Sequence, residues 1–240
     1  HEWLDTIVVG DCLWMMSYLP SGCVDLVFAD PPFNIGKDFG NECDDQRPSL
    51  EYWEWTQQWV TEVWRILRHG GTCYLKNHWR NVAPFDTIVR SDPQAVVRNL
   101  IVWQKGAGLA SRLCYSMRWE AIWFATKGDG HTFNLDTVRV PCQTRDPRNN
   151  PNGKNPTDCW YIPRVAFGSG ERTSHPTQTP EKLLDRIIRA SSNPSDTVFD
   201  PFMGSGTTAV VAKRLGRHWA GCDTNPSYVK IANERVAKIQ

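Results

Sequence analysis

The feature that most constrains the fold is a pair of short apolar runs near the start of the chain. Residues 6–9 form the first run and residues 24–29 the second, and each ends at turn-forming residues. Between them, the pattern of residues 12–19 predicts a helix that ends at residues 20–22 (Pro-Ser-Gly). A strand, a helix and a second strand in this order predict a parallel β-α-β unit and therefore an α/β protein.

The alternation of helix and strand continues through most of the chain. Apolar residues recur at helical spacing in residues 50–67, 82–89, 180–193, 207–215 and 226–239, and strand-like runs occur at residues 72–75, 96–103, 121–125, 197–199 and 218–222. Residues 179–181 (Thr-Pro-Glu) predict a helix start with Thr179 as its N-cap. Gly216 is expected at the C′ position after another helix. We expect one domain over residues 1–240, because a chain of this length can bury a sizeable core.

Cysteine usage and hydropathy narrow the class of protein. The eight cysteines are scattered and form no C-x-x-C pair, which favours reduced thiols in a cytoplasmic protein over a disulfide framework or a metal site. The sequence has no run of 18 apolar residues, so we expect no membrane span. The chain begins at His1 rather than at Met, and we expect that its native start is missing.

A basic, irregular region interrupts the regular pattern between residues 127 and 172, where residues 146–156 are rich in Pro, Asn and Gly. Residues 98–172 hold 11 Lys and Arg against 6 Asp and Glu. A long irregular segment with a positive surplus is typical of a surface that meets a polyanion. An ordinary solvated face would explain the charges equally well, so both interpretations stay open.

One candidate binding motif joins a predicted strand to a predicted helix at residues 199–208 (Phe-Asp-Pro-Phe-Met-Gly-Ser-Gly-Thr-Thr). Its glycines, Gly204 and Gly206, let the backbone bend and approach a ligand. Asp223 follows the next strand, where a carboxylate can accept both ribose hydroxyls of a nucleoside. The motif is neither a Walker A loop nor a complete G-x-G-x-x-G, which favours a nucleoside without phosphates. A purely structural turn is the alternative.

A candidate catalytic motif, Asp30-Pro31-Pro32-Phe33, directly follows the second strand. The lone pair of an aryl amine is delocalised into its ring, so transfer of a group to that amine needs acceptors that hold its two N–H groups. The Asp30 carboxylate can accept one N–H, a carbonyl of the proline pair can accept the other, and Phe33 can stack on a flipped base. The alternative is an ordinary Asp-Pro turn after a strand.

Together the motifs resemble the DNA amino-methyltransferases in the permuted order called group β. Residues 30–33 match the pattern D-P-P-Y/F, residues 200–206 match D-P-F-x-G-S-G, and residues 175–180 match H-P-T-Q-K-P except at Thr179. The resemblance covers nearly the whole chain. It implies a Rossmann-like methyltransferase fold, with a seven-stranded, mostly parallel sheet and helices on both faces. It also implies a catalytic half (1–126), a cofactor half (173–240) and a target-recognition region (127–172) between them.

The resemblance implies S-adenosyl-L-methionine as the cofactor, DNA as the partner and no metal. The cofactor-binding residues that it implies are Asp11, Asp30, His175, Thr177, Gln178, Phe199, Asp200, Pro201, Phe202, Gly204, Ser205, Gly206, Thr207 and Asp223. Among them, Asp11 would face the adenine ring and Asp223 the ribose. For His175, a local cap at the helix start and proton transfer are alternatives.

Contacts outside the cofactor site are also expected. Arg145, Arg148 and Lys154 are candidate DNA contacts, with solvated loop charges as the alternative. Trp119 and Trp123 either pack in the core or border the base pocket. Many members of the family are dimers, so a homodimer is one assembly that the resemblance implies, although the sequence has no dimer-specific pattern.

The resemblance implies transfer of a methyl group to an exocyclic amino group of DNA, in a bacterial or phage restriction-modification setting. Asp30 at the head of the tetrad favours N6 of adenine, and N4 of cytosine, which usually goes with Ser there, is the alternative. Phe33 replaces the commoner Tyr and keeps its stacking face. A DNA-binding module without catalysis is a further alternative. Methylation of a protein glutamine is another, and both Asp30 and the motif order disfavour it.

Overall fold

The computed structural model describes residues 2–39, 45–106, 112–142 and 150–239. The strands in these ranges are β1 (Thr6–Val9), β2 (Val24–Ala29), β3 (Leu67–Asn77), β4 (Ala95–Gln104), β5 (Trp119–Lys127), β6 (Cys159–Tyr161), β7 (Thr197–Asp200) and β8 (His218–Asp223). The helices are α1 (Cys12–Ser17), α2 (Ser49–Ile66), α3 (Val82–Val89), α4 (Leu135–Val138), α5 (Glu181–Ser191), α6 (Thr207–Arg214) and α7 (Pro226–Ala237), with a 3₁₀ turn at Trp79–Asn81.

Within the described residues, the strands form one eight-stranded sheet in the order β1-β8-β7-β2-β3-β5-β4-β6. The first five strands in this order, β1, β8, β7, β2 and β3, are parallel to one another. Strand β5 is antiparallel to both of its neighbours, and β6 is parallel to β4. The predicted class, a mostly parallel sheet in an α/β protein, is confirmed, with eight strands where seven were expected.

The additional strand, β6, lies inside the region that the sequence indicated as irregular. It has three residues, too few to show a periodic pattern, and it pairs with the edge of β4. The Trp103 indole donates to the Ile162 carbonyl at 2.8 Å, just beyond the strand, and the Trp160 side chain is buried. The strand therefore depends on tertiary contacts that a local sequence pattern does not reveal.

The helices cover both faces of the sheet, as expected. Val27 and Ala29 of β2 join a core cluster with α1, α2 and α3. Leu26 and Phe28, which alternate with them, join a second cluster with α5 and α6. Because successive side chains of a strand point to opposite faces, a strand covered on both sides is apolar throughout. This explains why residues 24–29 form a nearly continuous apolar run.

Parallel pairing brings the carboxyl ends of four strands to one edge of the sheet. β2 lies beside β7, with Val27 opposite Phe199. β8 lies between β7 and β1, with Val9 opposite Asp223. The residues that follow or end these strands therefore meet at one edge, where ligands bind in open α/β sheets.

Two predictions about helix ends have different outcomes. Gly216 follows α6 in a left-handed conformation with φ +72°, which confirms it at C′. The prediction that Thr179 caps α5 is wrong. The helix begins at Glu181, Pro180 stands at its N-cap without a side-chain bond, and the Thr179 hydroxyl donates instead to Asp30 at 2.9 Å.

Two tryptophans considered for the base pocket belong to the core. Trp123 is completely buried, packs edge-on against Phe85 with ring centroids 4.8 Å apart, and donates its indole N–H to Asp86 at 2.9 Å. Trp119 is partly buried against the same cluster. The packing alternative therefore accounts for both residues.

Three compositional points concern only the described ranges. The cysteines there are free thiols, and Cys43 lies outside those ranges. No helix in the described part of the chain is long and apolar enough to cross a bilayer. The same residues contain no group of three or more His, Cys, Asp or Glu side chains able to hold a metal ion.

Candidate active site

A cavity of about 470 Å³ opens at the carboxyl edge of the sheet. This volume falls in the range of small-molecule sites. The candidate site residues that line it are Asp11, Asp30, Pro31, Pro32, Phe33, His175, Thr177, Gln178, Asp200, Pro201, Phe202, Gly204, Ser205, Thr207 and Asp223. Motifs from the two ends of the sequence thus meet around one space.

Two of the candidate cofactor residues do not line the cavity. Phe199 is completely buried in the core beneath it. Gly206 stands at the N-cap of α6 with φ +81°, where an added Cβ would lie 2.6 Å from the Ala232 Cβ. These residues shape the site through packing and backbone geometry rather than by lining the cavity.

Of the three candidate DNA contacts, Lys154 lies within the described residues. Lys154 is exposed, pairs through its backbone with Val140, and is not among the lining residues. Arg145 and Arg148 lie outside the described residues.

Two carboxylates stand at the outer end of the cavity, where β8 and β1 end. The Asp223 carboxylate accepts the Gly204 N–H at 2.9 Å and the Asn225 N–H at 2.8 Å, and burial raises its pKa. Asp11 caps α1 by accepting the Leu13 N–H at 2.8 Å. A carboxylate has about four acceptor positions, so each retains capacity to accept a hydroxyl or an amino group of a ligand.

Hydrogen bonds to the Asp200 carboxylate stabilise the glycine turn after β7. This carboxylate accepts the Phe202 N–H at 2.9 Å and the Thr208 hydroxyl at 2.5 Å. Because it is buried, its pKa is raised to about 7. Gly204 crosses the cavity wall with φ +52°, and a Cβ there would lie 3.1 Å from His175 Nε2. The turn therefore needs glycine at this point, both for its conformation and for the space beside the imidazole.

His175 packs in the cavity wall as a neutral ring. Its centroid lies 4.4 Å from that of Tyr228, and its Nδ1 accepts the Thr177 N–H at 3.3 Å. Burial, followed by the positive charges of Lys76 and Arg172, lowers the pKa of His175 to about 4. A base this weak holds no proton near pH 7, which disfavours proton transfer. The prediction that His175 caps the helix start is also wrong, because Thr177 precedes the N-cap of α5 at Pro180. Packing in the cavity wall describes the residue best.

The depressed pKa of His175 predicts an effect on stability. The unfolded chain takes up a proton near pH 6.5 that the folded protein refuses until about pH 4. The stability that this pKa difference contributes is fully present above pH 6.5 and is lost as the pH falls toward 4. Neutral His175 therefore contributes about 2 kcal/mol less stability at pH 5 than at pH 7. Urea unfolding of wild type and His175→Gln at both pH values should show that wild type loses more stability between pH 7 and pH 5, by this amount, because other titrating groups such as Asp200 act alike in both proteins. Equal pH dependence in the two proteins would contradict the buried, neutral state.

Hydrogen bonds to three of its four residues fix the catalytic motif in place. The Tyr52 hydroxyl donates to the Pro32 carbonyl at 3.2 Å, and the Asn81 amide donates to the Phe33 carbonyl at 2.9 Å. The Asp30 Oδ2 atom accepts the Lys76 ammonium at 2.8 Å and the Thr179 hydroxyl at 2.9 Å. Among the described residues no bond is made to its Oδ1, which leaves that oxygen as an acceptor for a ligand.

Besides Lys37, Asp45 and Arg47, which also line the cavity, sequence reasoning missed a cluster of three charged residues in its wall. Lys76 on β3 lies 2.8 Å from both Asp30 Oδ2 and Glu120 Oε2, and its side chain is 5% exposed. Glu120 on β5 also pairs with Lys105, which follows β4. All three line the cavity. The available signal was a charge within or beside a predicted buried strand, where a lone ion is costly without a partner.

The charges of this cluster shift one another's ionisation. Burial raises the pKa of Asp30, and the Lys76 charge opposes that rise. For Lys76 and Glu120, burial favours the neutral forms, but the opposite charges prevail: the pKa of Lys76 is raised and that of Glu120 is lowered. The cavity therefore contains a buried carboxylate with a lysine against one oxygen and its other oxygen available.

Comparison with known proteins gives three consistent similarities. A family model described as a DNA methylase matches residues 24–234. The chain is 36% identical over 231 residues to the type II methyltransferase M.HpaI of Haemophilus parainfluenzae, covering 96% of this chain and 73% of the relative. It is also 36% identical over 244 residues to the DNA adenine methyltransferase YhdJ of Escherichia coli K12, covering 96% and 82%.

A solved structure shares the fold at lower identity. The PvuII DNA methyltransferase, described as cytosine-N4-specific, aligns with a TM-score of 0.76 at 18% identity and covers 95% of this chain and 85% of its own. This supports the Rossmann-like methyltransferase fold.

Proposed function

Because the chain belongs to the DNA methylase family, we propose that it transfers a methyl group from S-adenosyl-L-methionine to the exocyclic N6 amino group of adenine in DNA. One observation carries the proposal. The available oxygen of Asp30 borders the same cavity as Asp223 and the glycine turn. A nucleoside donor and an amine acceptor would therefore meet in one space.

The residues of the outer cavity fit the proposed donor. A ribose diol needs a paired acceptor, which the fixed Asp223 carboxylate supplies, and Asp11 at the end of the neighbouring strand can accept from an adenine amino group. Gly204 brings the backbone close to the ligand without a side chain. When bound, S-adenosyl-L-methionine supplies a methyl group already activated by its sulfonium charge, so no covalent enzyme intermediate is required.

The residues of the inner cavity fit the proposed acceptor. A base flipped out of the duplex would place its amino group at Asp30. One N–H would donate to Asp30 Oδ1. The carbonyl of Pro32 already accepts the Tyr52 hydroxyl, so we assign the second N–H to the carbonyl of Pro31. Phe33 would stack on the base. These contacts would fix the amino nitrogen at the end of the cavity that faces the donor site, so the residues would act mostly by positioning and hydrogen bonding.

Two observations support adenine over cytosine. Asp30 rather than Ser heads the tetrad, and YhdJ, named for adenine, is 36% identical over 96% of the chain. The PvuII enzyme, named for N4 of cytosine, shares the fold at 18% identity, so N4-cytosine methylation is the second candidate. The same acceptors would serve either amine. A DNA-binding module without catalysis is less well supported, because residues suited to both substrates border one cavity.

The organisation around this site is part of the proposal. We propose that residues 1–126 form the catalytic half, residues 173–240 the cofactor half and residues 127–172 the target-recognition region, in permuted group β order. DNA is the proposed partner, and the homodimer remains a proposal to be tested by sedimentation. Because the proposed substrate is DNA of a bacterium or its phage, we propose that the protein acts in the cytoplasm.

The basic segment leads to a prediction about DNA binding. Replacing Arg145 and Arg148 with alanine should weaken DNA binding, because each arginine that no longer neutralises a phosphate reduces the number of counterions released on association. The slope of log K against log salt should become shallower by about 0.9 for each such arginine. Binding titrations at several salt concentrations measure this slope. A slope equal to that of wild type would remove these arginines from the interface.

The direct test of DNA methylation is transfer of a tritiated methyl group. Unmethylated genomic DNA is incubated with the protein and methyl-labelled S-adenosyl-L-methionine, and label is counted in the DNA and in the protein after separation. We expect label in DNA. Label retained only in protein would favour a protein substrate, and cofactor binding without transfer to either would favour the non-catalytic module.

A further inference from the structure

The side chain at position 179 points at the catalytic carboxylate. The family pattern H-P-T-Q-K-P has lysine there, whereas this chain has threonine. The Thr179 hydroxyl lies 2.9 Å from Asp30 Oδ2 and the residue is buried. A lysine at position 179 would therefore have its side chain next to Asp30. The threonine in this chain places no charge beside that carboxylate.

The positive charge reaches the same oxygen from another strand. Lys76 on β3 holds its ammonium 2.8 Å from Asp30 Oδ2. Glu120 lies 2.8 Å from the same nitrogen on its other side, and the ring centroids of Trp103 and Phe33 lie 4.8 and 5.5 Å from it. The ammonium is therefore fixed between two carboxylates and two aromatic rings, with little freedom to move away.

We propose that Lys76 is a positioning residue that replaces the lysine absent at position 179 and keeps Asp30 ionised, so that Asp30 can accept the N–H of the target base. This role rests on the proposed methyl transfer, although the ionisation of Asp30 can be measured without it. A protonated carboxyl donates from one oxygen and is a weaker acceptor. Loss of the Lys76 charge would therefore weaken the hydrogen bond between Asp30 and the target base. The residues at the cofactor end of the cavity would be unchanged.

The titratable groups near Asp30 come from strands on both sides of β2. Lys76 from β3 is positive and Glu120 from β5, which also pairs with Lys105 after β4, is negative. Asp200 at the end of β7 has a pKa raised to about 7 by burial, so it is partly protonated near neutral pH. Lys76 lowers the pKa of Asp30 and Glu120 raises it. The neutral His175 ring adds no charge near pH 7. The two closest charges thus predict opposite effects, which a merely structural role would not.

Three variants test the role of Lys76. Lys76→Met removes the charge but keeps most of the volume, and it should raise the pKa of Asp30 by about 1 to 3 pH units, as expected for loss of an adjacent opposite charge. Glu120→Gln should lower that pKa. The exchange variant Lys76→Thr/Thr179→Lys restores an ammonium from the other side and should return the pKa toward its wild-type value.

Two measurements read out the shifts. Carbon NMR of side-chain-labelled aspartate follows the Asp30 carboxyl directly, with its signal assigned by its loss in Asp30→Asn. The acid limb of kcat against pH should move in parallel, upward for Lys76→Met and downward for Glu120→Gln, because turnover requires the ionised carboxylate. Cofactor affinity within a few-fold of wild type shows that each variant has folded.

The proposal fails if the Asp30 carboxyl titrates alike in wild type, Lys76→Met and Glu120→Gln, or if both variants shift it in the same direction. If the exchange variant does not return the pKa of Asp30 toward its wild-type value, the proposal that Lys76 replaces a lysine at position 179 is overturned. If Lys76→Met does not fold, Glu120→Gln and the exchange variant decide the same points. If wild type methylates no DNA, the proposed function fails, while the carboxyl titrations still decide the role of Lys76.

Discussion

Replacing Asp30 with alanine is expected to lower kcat by about 10²- to 10³-fold or more while the affinity for S-adenosyl-L-methionine stays within a few-fold. The magnitude is that of losing one preorganised hydrogen-bonding group at a reacting centre. Asp30 offers the available Oδ1, and the variant also leaves the Lys76 ammonium without one of its two carboxylates. The cofactor end, by contrast, is held by Asp223 and its own backbone bonds. Single-turnover kinetics and calorimetric cofactor binding measure the two quantities separately.

Two further variants make the Asp30 result specific. Asp30→Asn keeps the shape but replaces one acceptor oxygen with a donor, and it should lose nearly as much activity. Asp129→Asn removes a carboxylate that is 91% exposed and paired with Arg98 at the surface, so it should leave kcat unchanged. Turnover retained by Asp30→Ala, or an equal loss in Asp129→Asn, would contradict the assignment of Asp30 as the catalytic residue.

Replacing Gly206 with alanine is expected to destabilise the fold by about 3 to 5 kcal/mol and to abolish measurable cofactor binding. Gly206 has φ +81°, and a Cβ there would lie 2.6 Å from the Cβ and 2.8 Å from the Cα of Ala232. Because Ala232 belongs to α7, relief requires that α7 or the glycine turn move. The estimate combines left-handed strain with overpacking against a backbone. Urea unfolding and calorimetry measure the two losses.

The matched control for this variant is Gly216→Ala. Gly216 has a similar φ of +72° after α6, but a Cβ there would meet nothing within 4 Å. It should cost only the left-handed strain, about 1 to 2 kcal/mol, and leave cofactor binding intact. Equal losses in the two variants would mean that backbone strain alone, rather than the close approach of the turn to α7, determines the effect.

Local pattern was enough to predict the central strands and the edge where the site forms. Residues 24–29 and 197–199 were predicted as strands because buried parallel strands are apolar on both faces, and the structure places them side by side. The glycines and prolines of the two motifs marked the strand ends. Since parallel strands end at a common edge, the meeting of Asp30, Asp200 and Asp223 could be expected from the sequence alone.

The parts that escaped prediction depend on the neighbours that a strand acquires. Lys76 and Glu120 meet because antiparallel pairing sets β3 beside β5, with Lys76 opposite Ile122, and no local pattern specifies that register. Thr179 satisfies the sequence rule for an N-cap, yet its hydroxyl serves Asp30 because the carboxylate lies within reach. β6 depends wholly on the exposed edge of β4. In each case a tertiary contact decided among local options.

The chemical identity of the methylated nucleoside decides both the reaction and the base. Unmethylated DNA is incubated with the protein and S-adenosyl-L-methionine, digested to nucleosides and analysed by mass spectrometry, with Asp30→Ala as the matched control. We expect N6-methyladenine with wild type and none with the variant. N4-methylcytosine would preserve the catalytic geometry but overturn the assignment of the base. Neither product, with cofactor binding intact, would contradict the proposed methyl transfer to adenine.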